Sequence, residues 1–408
     1  MFDTMLSRRQ AVSGFAALSA IPLLTSVASP AYAASPERQS RLRITGMEVF
    51  VVRVNHRGDW VFVRLATDRG VRGVGEASHG GSNEAMSQEL GTFFELVRGR
   101  SPFEIEAYRE RGWGRASQGQ LQATAFAALE HAQWDIVGRA LDTPVAELLS
   151  DRALRSRLPT YANINRATVD RTPEGFAANA QAAVADGFDA IKAAVFDDFP
   201  PLSAPEEQKE AAKELGIARA EAIRAAIGPD VALMIDVHSH FDVPLAIEVA
   251  RRFEPLSLEF YEEPVPPEQV ADTLQIRAAI QQQLAGGESL FGRDSFDPIC
   301  RQHSLDIVMP DVKHCGGLLE ARKIADLARR RQVQVSPHNP SGPVSTAISA
   351  HLCAGLPNLT RLEYAWGEVP WRSELLTPPE EFADGRLVVP DGPGFGIELD
   401  AAAVAAHS

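Results

Sequence analysis

Three carboxylates recur at one interval along this chain, each closing a short apolar run. Asp236 ends Ala232-Leu233-Met234-Ile235-Asp236, Glu262 ends Leu258-Glu259-Phe260-Tyr261-Glu262, and Glu288 ends Leu284-Ala285-Gly286-Gly287-Glu288. The two intervals are equal (262 − 236 = 26; 288 − 262 = 26). One strand, a loop, a helix and a second loop fill an interval of that size. The pattern therefore predicts consecutive parallel strands that present their acids at the same end of a sheet. In a (β/α)8 barrel that is the end where active sites are built. Carboxylates converging there repel one another unless a hard divalent cation holds them, and all-oxygen ligation with open positions suits Mg²⁺, one per site. Any one of these acids could be an ordinary loop residue or helix cap; their common phase argues for a site.

The alternation of strand and helix begins at Leu158. Strand ends are expected near Asn163, Lys192, Asp236, Glu262, Glu288, Asp311, His338 and Glu363, with helical stretches such as 206–227 and 319–331 between them. Eight such units close a parallel barrel over residues 156–380. Upstream, residues 43–54, 60–66 and 70–76 read as strands, and helical pattern follows from Ser87, clearest over 123–137. Strands followed by helices predict a separate α+β capping domain over residues 41–155. The fold class is thus α/β: a (β/α)8-type barrel, a modified TIM barrel, with an N-terminal α+β capping domain. Residues 381–408, which include a Gly- and Pro-rich run, are expected to return towards that domain.

With 408 residues, 45% hydrophobic and 23% charged, the chain can bury a sizeable core. A net charge of −14 argues against nucleic acid as a partner. An anionic substrate must then find positive charge locally. Residues 1–33 stand apart from the fold. Ser7-Arg8-Arg9-Gln10, a weakly apolar stretch to Val27 and Ala31-Tyr32-Ala33 predict a twin-arginine signal peptide, with the mature chain starting at about Ala34. The expectation is a periplasmic protein with no stable membrane anchor after processing; a retained anchor is the other reading of that stretch. Cys300, Cys315 and Cys353 are odd in number and widely spaced, which predicts core or near-core thiols rather than a disulfide framework.

Asp236-Val237-His238 lies at the end of the third barrel strand. Alternate residues share a strand face, so if Asp236 points to the site His238 does too. A histidine beside a metal-bound carboxylate is a candidate acid or base, with a structural histidine as the alternative. His338 ends the seventh strand and Asp311 the sixth. A carboxylate against imidazole fixes its tautomer and raises its basicity, so Asp311–His338 is the candidate general base. Lys192, ending the second strand, is a candidate to hold a substrate carboxylate and stabilise enolate charge. Glu363 could hydrogen-bond that carboxylate from the opposite side if protonated; both can also be solvated strand-end residues. His56, Arg57 and His79 lie in capping-domain loops and are candidates for reading the distal end of a substrate.

Strand-end Asp, Glu-Glu-Pro, Gly-Glu and Ser-Pro-His, in this order, give a chain that resembles the enolase superfamily from about Arg43 to Asp400. Trp134-Asp135-Ile136-Val137-Gly138, Pro310-Asp311 with Gly316-Gly317, and Pro393-Gly394-Phe395-Gly396 support the resemblance. It implies Asp236, Glu262 and Glu288 as Mg²⁺ ligands, with the first glutamate of Glu-Glu-Pro, Glu262 rather than Glu263, as the ligand. Within the mandelate racemase/muconate lactonizing enzyme-like group, Asp-x-His on the third strand with His on the seventh is similar to the galactonate, gluconate and mannonate-type sugar-acid dehydratases. Racemases of the superfamily carry Lys-x-Lys on the second strand, whereas Ala194 stands here in the second lysine's place. The resemblance implies that His338 removes the proton alpha to a carboxylate and His238 protonates the leaving β-hydroxyl, giving a 2-keto-3-deoxy acid. A small-molecule sugar acid is then the expected partner, and a homo-oligomer the expected assembly. A sugar-acid lactone cycloisomerase, an epimerase of the same superfamily, or a non-catalytic periplasmic sugar-acid binder remain alternatives.

Overall fold

The computed structural model describes residues 42–408; the twin-arginine segment lies outside the described residues. The chain opens with an antiparallel sheet of β1 (Ile44–Asn55), β2 (Gly58–Thr67) and β3 (Arg72–Glu76), in that order. Helices α1 (Asn83–Phe94), α2 (Ile105–Ala116), α3 (Gln120–Leu141) and α4 (Val145–Leu149) follow. α3 is buried on every side from Ala123 to Gly138, which is why its apolar pattern shows no single stripe. Its backbone runs against β3 because Gly75 has no side chain: a Cβ there would lie 2.1 Å from the carbonyl oxygen of Ala128. The strands-then-helices order is the α+β arrangement expected of this region.

Beyond α4 the chain forms a parallel ring. β4 (Arg157–Asn163), β5 (Ala190–Ala193), β6 (Ala232–Asp236), β7 (Phe260–Glu262), β8 (Leu284–Gly286), β9 (Ile307–Val308) and β10 (Gln334–Val335) are neighbours in sequence order. β11 (Leu362–Ala365) pairs with β4, and a bridge between Val335 and Leu359 joins it to β10, closing the barrel. The intervals are filled by α5 (Pro173–Ala185), α6 (Glu206–Ile227), α7 (Val243–Arg252), α8 (Val270–Ala279), α9 (Arg293–Gln302), α10 (Leu318–Arg330) and α11 (Pro343–Ala354). Among the described residues no α-helix directly follows β11; a 3-10 turn, Arg372–Leu375, takes the place of the eighth. Gly367 and Pro370 interrupt any helical pattern there. The barrel thus has eight strands and seven outer helices.

The C-terminal segment does more than return to the capping domain. After β12 (Leu376–Thr377) and β13 (Phe382–Ala383), β14 (Arg386–Val388) pairs antiparallel with barrel strand β4, Leu387 opposite Leu158. Residues 392–396 then dock on α3, where the Phe395 N–H donates to Asp135 Oδ1 at 2.8 Å. β15 (Glu398–Leu399) pairs with β12, and α12 (Ala401–Ala406) leads to a hydrogen bond from the Arg53 N–H to the carbonyl of His407 at 2.8 Å.

Inside the barrel, Tyr161, Ala190, Met234, Phe260, Ala285, Ile307 and Met309 form an apolar plug. Side chains alternate along a strand, so the residues two positions on share the inward face one layer higher. They include Asn163, Lys192, Asp236, Glu262 and Asp311. The plug forms a dry floor, and the polar layer lies directly above it.

Candidate active site

The ammonium of Lys192 is the centre of the polar layer. Its Nζ lies 2.9 Å from Glu262 Oε2, 2.9 Å from Glu363 Oε1 and 3.4 Å from Asp236 Oδ2. All four side chains are essentially buried, and a lone ammonium there would be costly. Burial alone works to lower the Lys192 pKa, but Glu262, Glu363 and Asp236 outweigh it and raise it well above its usual value. Glu363 accepts from Asn163 Nδ2 at 2.7 Å and from the Asn339 N–H at 2.7 Å. Burial pushes its pKa up, yet Lys192 and His338 bring it below the ordinary range. In this arrangement Glu363 accepts hydrogen bonds from Asn163 and Asn339 and pairs with Lys192, so it anchors that ammonium.

Asp236 and Glu262 are register partners across the β6–β7 pair. Burial, with the charges of Asp236 and Glu288, raises Glu262 well above its usual value, against the pull of Lys192. Ligand atoms of Asp236, His238 and Glu288 lie within 4.8 Å of one another. Glu262, the remaining member of the expected trio, has both oxygens on Lys192, at 3.0 and 2.9 Å. Glu288 Oε2 is buried with no donor aimed to hydrogen-bond it; His338 Nε2 lies 3.1 Å away. An orphaned carboxylate oxygen among like charges is relieved by a cation, and an oxygen-rich donor set fits a hard one such as Mg²⁺. Glu263 turns away from this cluster: its Oε1 accepts from the Gly287 N–H at 2.7 Å. Gly286 makes room for it, since a Cβ there would lie 2.7 Å from Glu263 Cγ. Burial and the Glu288 charge push Glu263 up to about 7.

Two histidines flank the carboxylates. His338 Nδ1 lies 2.9 Å from Asp311 Oδ2, as the strand order predicts. Burial works to lower the His338 pKa, and Glu288, Glu363 and Asp311 outweigh it and raise it. Asp311 is itself penalised by burial, but His314, Lys313 and His338 hold it well below the usual carboxylate range. The other histidine, His238, places Nε2 3.2 Å from Asp236 Oδ2 and Nδ1 2.5 Å from Asp197 Oδ1. Burial opposes its protonation, and Asp236 and Asp197 raise its pKa well above 6.5. Asp197 carries no sequence signal, because it sits in a loop four residues beyond the end of β5.

The capping-domain candidates separate. Arg57 Nη2 is paired with Asp197 Oδ2 at 2.6 Å. Arg57 and His79 line a cavity of about 50 Å³ together with Arg166, Lys313, His314 and His338. His56 is exposed and lines no part of that cavity. Lys313, missed in the sequence, is buried with its Nζ 3.4 Å from Asp311 Oδ2. A larger crevice of about 530 Å³, lined by Arg109, Trp113, Phe291 and Arg293, contains none of these candidate groups.

The capping domain also grips the loops that carry the Asp311–His338 pair. Glu76, ending β3, accepts the N–H groups of Gly342 and Ser345, each at 2.7 Å, at the start of α11. His131 Nε2 lies 3.1 Å from the carbonyl of Val312, and Glu130 Oε1 accepts the Leu319 N–H at 3.2 Å.

Residues 44–150 match the mandelate racemase/muconate lactonizing enzyme N-terminal domain family, and residues 175–403 match the enolase C-terminal domain-like family. The chain is 35% identical over 310 residues to the D-gluconate dehydratase of Thermoproteus tenax, covering 74% of this chain and 60% of that protein. It is 30% identical over 376 residues to the D-xylonate dehydratase of Haloferax volcanii, covering 89% of this chain and 88% of that protein. Among solved structures, a mandelate racemase/muconate lactonizing enzyme from Sulfitobacter sp superposes with a TM-score of 0.81 at 29% identity, covering 90% of this chain and 95% of that one.

Proposed function

The chain belongs to the mandelate racemase/muconate lactonizing enzyme group of the enolase superfamily, and on that premise we propose that it is a Mg²⁺-dependent dehydratase of a sugar acid, an aldonate or aldarate. One observation carries the reading: two carboxylate-held histidines face one acidic cluster from strands four places apart in a ring of eight. His338 Nε2 stands at Glu288 and His238 Nε2 at Asp236, at 3.1 and 3.2 Å. A substrate lying between them meets a base on one side and an acid on the other. The gluconate and xylonate dehydratase names of the relatives support the same class of substrate.

Asp311 occupies Nδ1 of His338, so Nε2 is the atom that takes the proton alpha to the substrate carboxylate. The enediolate formed carries two negative charges; Asp236, Glu262 and Glu288 are the residues that would hold a Mg²⁺ ion, which would supply opposing positive charge there. Lys192 adds a second fixed cation in the floor of the site. His238 then delivers a proton from Nε2 to the departing β-hydroxyl, which leaves as water. The resulting enol ketonises to a 2-keto-3-deoxy acid. Ala194 offers no second base on the β5 side, which favours one-base elimination over a two-base proton swap.

Export by the twin-arginine route to the periplasm is likewise proposed, from Arg8, Arg9 and Ala31-Tyr32-Ala33. The activity is tested by offering the Mg²⁺-loaded mature chain a panel of aldonic and aldaric acids. Formation of a 2-keto-3-deoxy acid from at least one of them is expected, with C2 proton exchange in D₂O. Exchange without dehydration would favour an epimerase, and the absence of both would favour a binding protein.

A further inference from the structure

We propose that Asp197 is the positioning residue of the acid histidine and that Arg57 latches it from the capping domain, so that His238 is aimed only when the turn at residues 55–58 is seated on the barrel. The assignment of His238 as the acid rests on the dehydratase reading; its orientation by Asp197 does not. Asp197 divides its two oxygens. Oδ1 takes His238 Nδ1 at 2.5 Å, while Oδ2 accepts from Arg57 Nη2 at 2.6 Å and Asn165 Nδ2 at 3.0 Å. One carboxylate thus joins a barrel histidine to a capping-domain arginine.

The surroundings fix this geometry from both sides. Next in sequence, Asp198 is held bidentately by Arg219 at 2.6 and 2.7 Å. Phe196 and Phe199, flanking the pair, pack edge-on against Phe241 with ring centres 4.9 and 5.1 Å away. The Asp197 loop is therefore anchored by charge and by aromatic packing. On the other side, His238 and Ser239 both adopt left-handed backbone, φ 50° and 59°. Non-glycine residues rarely accept that conformation, and consecutive ones persist only where the surroundings compensate. Here the Ser239 N–H donates to the Glu263 carbonyl at 2.7 Å, and the turn brings the His238 ring to Asp197.

The arrangement mirrors Asp311–His338 across the barrel. With Nδ1–H committed to Asp197, Nε2 is the only atom of His238 left to exchange a proton with a substrate. Asp197 does not itself line the cavity bounded by Arg57, His79 and His338, and its hydrogen bonds go to His238, Arg57 and Asn165, so it acts on the site through His238.

The test is Asp197→Asn, which keeps the size of the side chain. Dehydration kcat is expected to fall about a hundredfold or more with KM little changed, while C2 exchange persists because His338–Asp311 is intact. Arg57→Gln, which leaves Asp197 in place, is expected to give a smaller fall in dehydration kcat while C2 exchange persists. An unchanged kcat in Asp197→Asn, or parallel losses of dehydration and exchange, would overturn the proposal. Imidazole ¹⁵N spectra of the full-length protein decide it without any substrate. A protonated Nδ1 on His238 that is lost or shifted in Asp197→Asn supports it; an unprotonated Nδ1 in the wild type overturns it. Failure of the wild type to dehydrate any acid offered would sink the dehydratase reading while these spectra still report on Asp197.

Discussion

Glu76 of the capping sheet accepts the backbone N–H of Gly342 at 2.7 Å, four residues beyond His338 in the barrel. Its other oxygen takes the Ser345 N–H at the same distance, so one side chain caps α11 and ties the loop after His338 to the capping domain. The two domains are thus joined close to the Asp311–His338 pair.

Glu76→Ala removes the acceptor of three buried donors, the N–H groups of Gly342 and Ser345 and the Ser78 hydroxyl, and each donor left without a partner costs about 1–3 kcal/mol. Urea denaturation should show a loss of about 2 kcal/mol or more, and kcat should fall because the His338 loop loosens. A denaturation midpoint equal to that of the wild type would show that α11 holds its own N-terminus.

Glu262→Gln should leave the fold intact, weaken Mg²⁺ binding measured by calorimetry, and abolish turnover. EDTA should likewise silence the wild-type protein. Full activity in the presence of EDTA would remove the metal from the mechanism.

His338→Asn and His238→Asn should separate the two half-reactions. Loss of His338 should abolish both dehydration and C2 exchange in D₂O. Loss of His238 should slow dehydration about a hundredfold or more yet spare exchange, provided enolate formation is reversible. Exchange lost only in His238→Asn would reverse the two roles.

His131 is buried in α3, and its surroundings, burial foremost, lower its pKa to about 3. The unfolded chain binds this proton near pH 6.5, so the unfolded state holds more protons between those values. Stability should therefore fall as pH drops below 6.5, by up to about 1.4 kcal/mol per pH unit from this group. Denaturation across pH 7 to 4 should show a shallower slope in His131→Gln; identical slopes would mean that other groups carry the acid sensitivity.

Arg8→Lys combined with Arg9→Lys should hold unprocessed precursor in the cytoplasm, since the paired arginines are the recognised feature. Mature protein appearing normally in the periplasm of cells carrying the double variant would show that the segment is read by another route.

What the sequence determined by itself was whatever follows from local periodicity. Asp236, Glu262 and His338 fall where an apolar run meets a loop, and period-two alternation puts Lys192, Asp236 and Asp311 two residues above Ala190, Met234 and Met309. Strand order then brings Asp311 to His338, because consecutive parallel strands are neighbours. The stretch from Gly367 to Pro379 reads as a loop, and among the described residues no α-helix follows β11; the 3-10 turn that fills it was not legible, since Gly and Pro announce a break without saying what fills it. The partners of these residues were decided only by tertiary structure. That Glu363 is an anchor for Lys192 depends on β11 closing against β4, some 200 residues earlier in the chain. Arg57–Asp197 and Glu76–Gly342 span 140 and 266 residues. Neither leaves a periodic trace, because each pairs a loop or strand end of one domain with a loop of the other. Such contacts are set by how two separately formed surfaces dock, and docking is fixed by the shape and charge of both at once.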